Sequence, residues 1–187
     1  MSKKCLILYA SNTGNTEKVA FKIRETFDKH GWECDVFKIG RGYDVKNPPF
    51  DFDDYDFLCA GSLTFYALPT QEIVEVMRQS SREKAGMRKV EPGPKCAIAF
   101  ATYGGAHLGP REAEANLALL EIEIEHLGFK SVGTFSCPGK MVDYATPEWY
   151  HGDIRDRPNE QDLQRAADFM EEILQSDEVK ALYCSEE

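Results

Sequence analysis

The stretch LYASNTGNTEKVA, residues 8–20, decides the fold. An apolar run of strand length ends at Ala10. Six small polar residues follow: Ser11, Asn12, Thr13, Gly14, Asn15 and Thr16. A helical pattern begins at once, with Val19, Ala20, Ile23 and Phe27 on one face. Backbone N–H groups at a helix start lack intrahelical partners and carry partial positive charge. Gly14 permits a tight turn or a close backbone approach. The hydroxyls of Ser11, Thr13 and Thr16 and the amides of Asn12 and Asn15 add donors, and together these groups make a cradle for a phosphate. Residues 11–16 contain no Lys or Arg, and the stretch has neither G-x-x-x-x-G-K-[ST] nor G-x-G-x-x-G. A triphosphate with its metal and a dinucleotide pyrophosphate therefore fit poorly. A single phosphate monoester, neutralised by hydrogen bonds alone, fits better. The competing reading is a capped helix start that binds nothing.

Outward from this stretch, apolar runs of strand length recur at 33–39, 57–62, 95–102 and 131–136. Helical stripes lie between most of them. Ile73, Val74 and Met77 share a face, as do Leu163, Ala166, Ala167, Met170, Ile173 and Leu174. Residues 113–127 are rich in Ala, Leu and Glu. Glu121-Ile122-Glu123-Ile124-Glu125 alone alternates like a strand, but length and the helix formers before it predict a helix. Near-continuous apolar strands alternating with amphipathic helices imply an α/β fold, a parallel sheet covered on both faces. Ligands of such sheets bind outside the carboxyl ends of the strands, which directs attention to the loops after strands 1, 3 and 4. The chain reads as one domain over 1–187, with a surface loop at 85–94 and an irregular segment at about 137–159 that holds Pro138, Pro147 and Pro158.

Composition is that of a globular protein, 42% hydrophobic and 29% charged, with a net charge of −10. An acidic surface repels phosphate backbones, so nucleic acid and anionic membranes are poor partners, and a basic protein surface is a good one. There is no run of about 18 apolar residues to span a membrane, and the N-terminal apolar run is not followed by a cleavage-type segment. Six cysteines occur in no C-x-x-C spacing. Cys5, Cys59 and Cys96 lie inside apolar runs and read as buried free thiols, which suits a reducing cytoplasm.

The run Ile7-Leu8-Tyr9-Ala10-Ser11-Asn12-Thr13-Gly14-Asn15-Thr16, with Ala20 and Ile23 after it, resembles the flavodoxin signature at every defined position. The resemblance implies a three-layer α-β-α sandwich whose five-stranded parallel sheet has the order 2-1-3-4-5. It also implies FMN as cofactor, its 5′-phosphate held by residues 11–16. The second loop, AGSLTFYALPT at 60–70, resembles the family loop along one side of the isoalloxazine, formed here by Ser62, Leu63, Thr64, Phe65 and Tyr66. Phe65 and Tyr66 are the candidates to stack on the ring, ordinary core packing being the other reading. The third loop, ATYGGAHLGP at 101–110, resembles the loop at the flavin's pyrimidine edge. There Thr102, Tyr103, Gly104 and Gly105 bring backbone N–H groups toward N1, and Tyr103 is a second candidate ring contact.

The sequence also departs from typical electron-carrier flavodoxins. Many carry a glycine in the second loop, whose peptide flips to hydrogen-bond N5 of the one-electron-reduced flavin. Residues 62–68 have none, and a non-glycine residue at positive φ costs about 1–2 kcal/mol. Residues 62–68 and 101–110 also lack the acidic residues common around such flavins, and hold His107 instead, a candidate for proton or hydride chemistry. Tyr144, Trp149, Tyr150 and His151 cluster in the late segment, where they either cover the flavin, meet a partner or subunit, or simply pack on the domain.

Three functions follow. The first is an FMN-binding electron-transfer protein that docks to basic redox partners, with no catalytic acid–base residue required. The second is an FMN-dependent oxidoreductase that passes electrons from NAD(P)H to quinones or other small acceptors. The third is a non-enzymatic module, against which the aromatics of both flavin loops argue. The first is the preferred reading. No metal ligand set is read from the sequence, and the oligomeric state stays open.

Overall fold

The computed structural model describes residues 3–85, 94–104, 108–141 and 154–183. Five parallel strands form one sheet: β1 (Lys4–Ala10), β2 (Glu33–Lys38), β3 (Phe57–Leu63), β4 (Cys96–Tyr103) and β5 (Lys130–Pro138). Their spatial order is β2-β1-β3-β4-β5. The helices α1 (Asn15–Lys29), α2 (Gln71–Ala85), α3 (Glu114–His126), α4 (Glu160–Gln175) and α5 (Asp177–Tyr183) cover it. This is the expected α-β-α sandwich.

Burial explains the strand sequences. All eight residues of β4 are buried, because helices cover both faces of a central strand. Edge strand β2 is only partly buried. Successive residues of β1 serve opposite cores. Cys5, Ile7 and Tyr9 pack with Val19, Ile23 and Phe27 of α1 and with Ala166 and Met170 of α4. Leu6, Leu8 and Ala10 pack with Ile73 and Met77 of α2 and with Leu120 and Ile124 of α3. Each fully buried large apolar side chain contributes about 1.5–3 kcal/mol relative to exposure. Gly61 on β3 lets β3 and β4 pack flush, since a Cβ there would lie 2.1 Å from the Phe100 ring.

The alternating segment 121–125 is helical, and its pattern has a physical source. Ile124 faces the core and Ile122 faces solvent, whereas Glu123 is buried. Arg78 of α2 holds the Glu123 carboxylate at 2.7 Å, so a charged residue occupies a core-side position.

Cys5, Cys59, Cys96 and Cys137 are buried free thiols and Cys34 is half-buried. Helix α5 carries no strong sequence signal. It is anchored by Tyr183, whose hydroxyl accepts from Cys96 N–H at 3.0 Å and donates to Asp56 O at 2.5 Å. Strand β5 runs on to Pro138, past the end of its apolar run. Asn159 caps α4 in a capping box with Asp162, and Arg157 pairs with the same buried Asp162 carboxylate. Most of the segment expected to be irregular, including Tyr144, Trp149, Tyr150 and His151, lies outside the described residues, as do most of the 85–94 loop, Gly105 and His107.

Candidate functional site

The loops after β1, β3 and β4 emerge side by side, because those strands are neighbours in the sheet. They surround a cavity of about 710 Å³, within the range of small-ligand and cofactor sites.

The first loop turns into α1 at Gly14, which has φ 85°, and no side chain caps the helix. A β-carbon is disfavoured at that angle, so the sequence places glycine there. Among the described residues, the first-turn N–H groups of α1 thus have neither an intrahelical nor a side-chain capping partner. Asn12, Thr13 and Asn15 line the cavity. Ser11 and Thr16 are buried beside it. The Ser11 hydroxyl accepts from Gly14 N–H at 3.1 Å and shapes the turn. Thr16 shares a hydrogen bond with Thr102, Oγ1 to Oγ1 at 2.8 Å. One hydroxyl hydrogen is used in that bond and the other remains free to donate. Close by, the Tyr9 hydroxyl donates to Glu17 at 2.5 Å. That bond, aided by Lys38, holds the Glu17 carboxyl below its ordinary range, while burial pushes the Tyr9 phenol up.

In the second loop Leu63, Thr64, Phe65, Tyr66 and Ala67 line the cavity. Ser62 does not. It is fully buried, donates to Leu63 O at 2.8 Å and accepts from Thr70 N–H at 3.0 Å, closing the base of the loop. Thr64 N–H donates to Thr102 O at 2.8 Å, which ties this loop to the end of β4. Phe65 and Leu68 exchange backbone hydrogen bonds at 2.9 and 3.0 Å around Tyr66 and Ala67. These two central residues have φ of 48° and 65°. Positive φ at both central positions is the pattern of a type I′ turn, usually made by Asn-Gly. Here the chain holds it without glycine. The loop's aromatics are not core residues: Phe65 is 63% exposed and Tyr66 88%. Their rings meet edge to face at 4.6 Å, so Phe65 braces Tyr66 at the lip of the cavity.

In the third loop Thr102, Tyr103 and Gly104 line the cavity. Tyr103 is largely buried, and burial raises its phenol pKa against the opposing pull of Arg157 and Arg165. Gly104 makes room for Met141, whose Cγ would lie 2.3 Å from a Cβ at that position.

Several residues at the site had no role in the sequence reading. Asn116 of α3 is fully buried, and its amide donates to Leu63 O at 3.2 Å and to Thr64 Oγ1 at 2.9 Å. Its signal was a polar residue within the buried stripe of Ala113, Asn116, Leu120 and Ile124. Gly139, Lys140 and Met141, just past β5, form a further wall of the cavity, and Glu112 contributes to another. Lys140 is a cation where residues 11–16 supply none. Glu112 is an acid two residues beyond the third loop.

A parallel sheet whose strand-end loops enclose an aromatic-rimmed cavity, beside an uncapped helix start, defines a nucleotide-type cofactor binder of the α/β class. The family model described as Flavodoxin matches residues 7–182, and the chain belongs to the flavodoxin family. An uncharacterized protein of Methanocaldococcus jannaschii is 26% identical over 174 residues, covering 92% of this chain and 99% of that one. Among solved structures, a flavodoxin from the domain Archaea superposes with a TM-score of 0.59 at 16% identity, over 96% of this chain and 98% of that one. Oxidised Flavodoxin 2 from Bacillus cereus gives 0.61 at 19% identity, over 89% and 94%. At these identities the structural likeness speaks to the fold.

The cofactor is FMN, as the family implies, and the residues present fit it. The unpartnered N–H groups of α1 and the side chains of Asn12 and Thr13 suit a phosphate. The exposed rings of Phe65 and Tyr66 suit a flat heteroaromatic ring, and the volume suits a mononucleotide.

Proposed function

We propose that this protein is an FMN-dependent electron carrier. In this reading residues 11–16 hold the phosphate, the 62–67 loop lies along one side of the ring system, and 102–104 meet its other edge. When bound, FMN supplies the redox chemistry. The chain's own residues bind it, orient it and set its electrostatic surroundings. The carrying observation is the exposure of Phe65 and Tyr66 on the lip of the cavity. A ring held against them stays close to the surface, where a docked protein exchanges electrons without a substrate pocket. The net charge of −10 supports redox partners with a basic docking face. No helix among the described residues is long and apolar enough to cross a membrane. With the buried free thiols, that supports a cytoplasmic setting.

An anaerobic reductive titration followed by absorbance tests the proposal. A stable one-electron-reduced state, with no NAD(P)H oxidation when quinone is added, is the expected result. Direct two-electron reduction with rapid NAD(P)H consumption would replace it with the oxidoreductase reading.

A further inference from the structure

We propose that Lys140 is the cation of the phosphate subsite and gives the protein its preference for FMN over unphosphorylated riboflavin. The residue follows β5 and is 125 positions away from Asn15, yet both line one cavity. Its main chain is fixed there. Asn15 Nδ2 donates to Lys140 O at 2.8 Å, Lys140 N–H donates to Arg157 O at 2.7 Å, and the neighbouring Gly139 N–H donates to Tyr103 O at 2.8 Å. The approach depends on Gly139, where a Cβ would lie 2.8 Å from Asn15 Nδ2. Three separate elements therefore position a lysine beside the start of α1.

Among the described residues, no carboxylate takes up the charge on Lys140. Lys22, Lys38 and Lys130 each pair with a carboxylate, Glu25, Glu17 and Glu178 respectively. Lys140 makes no ion pair among the described residues, in a chain with 32 Asp and Glu against 22 Lys and Arg. Of the described residues lining the cavity, Lys140 and Glu112 carry the charges. A phosphate monoester near neutral pH carries between one and two negative charges. Hydrogen bonds from a helix start and small side chains disperse that charge, and an ammonium on a flexible stem neutralises part of it. Because Lys140 is solvent-exposed, its contribution is screened by salt within about 10 Å at 0.1 M.

This inference rests on FMN binding with its phosphate at residues 11–16. The test is a fluorescence titration of the apoprotein with FMN and with riboflavin at low and high ionic strength. It uses the unmodified protein, Lys140→Gln, Lys140→Arg and Thr13→Ala. Lys140→Gln is expected to weaken FMN binding roughly five- to tenfold at low salt, to leave riboflavin binding unchanged, and to flatten the salt dependence of FMN binding. Lys140→Arg is expected to keep most of the affinity and the salt dependence. Equal losses for both ligands in Lys140→Gln, or no loss for either, would overturn the role of Lys140 while Thr13→Ala still weakened FMN selectively. If neither Thr13→Ala nor Lys140→Gln distinguished FMN from riboflavin, the phosphate would not lie at this loop, and both assignments would fall.

Discussion

Thr16 and Thr102 meet inside the protein, Oγ1 to Oγ1 at 2.8 Å, and join the first turn of α1 to the end of β4. Both side chains are buried, so the bond between them is shielded from bulk solvent. The bond locks the first site loop to the third. Thr16→Val is expected to lower stability by about 1–3 kcal/mol, because Thr102 loses its partner in a buried place. Thr16→Val with Thr102→Val is expected to recover much of that loss, since no orphaned hydroxyl remains. Urea unfolding of the three variants checks this. A double variant as unstable as the sum of the singles would show that the two hydroxyls are not coupled.

The turn at Tyr66 and Ala67 gives a second expectation. Ala67 has φ 65°, a conformation that costs a residue with a Cβ about 1–2 kcal/mol and glycine very little. Ala67→Gly should therefore stabilise the apoprotein by about 1 kcal/mol, after the entropy that glycine adds to the unfolded chain. Denaturant midpoints read the effect. A destabilised variant would mean that the left-handed turn is not the conformation held in solution.

Asn116 carries the second loop from below. Its amide is the donor to Leu63 O and to Thr64 Oγ1, and Asn116 itself does not line the cavity. Asn116→Leu should cost about 1–3 kcal/mol in stability by removing two hydrogen bonds, those to Leu63 O and Thr64 Oγ1, from a fully buried position. It should also weaken FMN and riboflavin binding to the same degree, because the loop beside the ring loosens while the phosphate cradle stays intact. Paired titrations with the two ligands check that equality. A loss confined to FMN would place the effect at the phosphate instead.

Buried thiols make the stability depend on alkaline pH. Burial, reinforced by the charge of Asp162 and opposed by Arg157 and Arg165, pushes the Cys137 thiol up to about 12. In the unfolded chain a cysteine ionises near 8.5. Between these values the unfolded state releases a proton that the folded state keeps, so stability falls as pH rises from about 8.5 to about 12. The slope from one such thiol approaches about 1.4 kcal/mol per pH unit. Cys137→Ala should reduce the slope of unfolding free energy against pH by that amount between pH 9.5 and 11, whatever its effect on stability at pH 7. An unchanged slope would show that Cys137 ionises at an ordinary pKa when folded.

The strands and the three site loops were legible because each depends on local pattern. Apolar runs mark β1, β3 and β4, and the small polar clusters sit directly after them. What escaped depends on side-chain direction or on distant chain. Ser62 looks like a cavity donor in a string of hydroxyls, yet strand geometry turns it inward, toward Thr70, while Thr16 lies buried behind the lining and bonds to Thr102. Lys140 and Met141 reach the cavity only because β5 lies beside β4 and runs on to Pro138. Asn116 reads as one polar residue in a helix until α3 is packed under the second loop. The turn at Tyr66 and Ala67 lacks the glycine that would have announced it.

The bond between Asn15 and Lys140 spans 125 residues of sequence, and this bears on how the protein matures. Contacts so distant carry a large loop-closure entropy that the rest of the fold must offset. A nascent chain that ends before β5 has its first loop but lacks the wall that Asn15 holds. The cavity therefore has all its walls only in a chain folded through β5, so a truncation before that strand should lose FMN binding even where the first loop is intact.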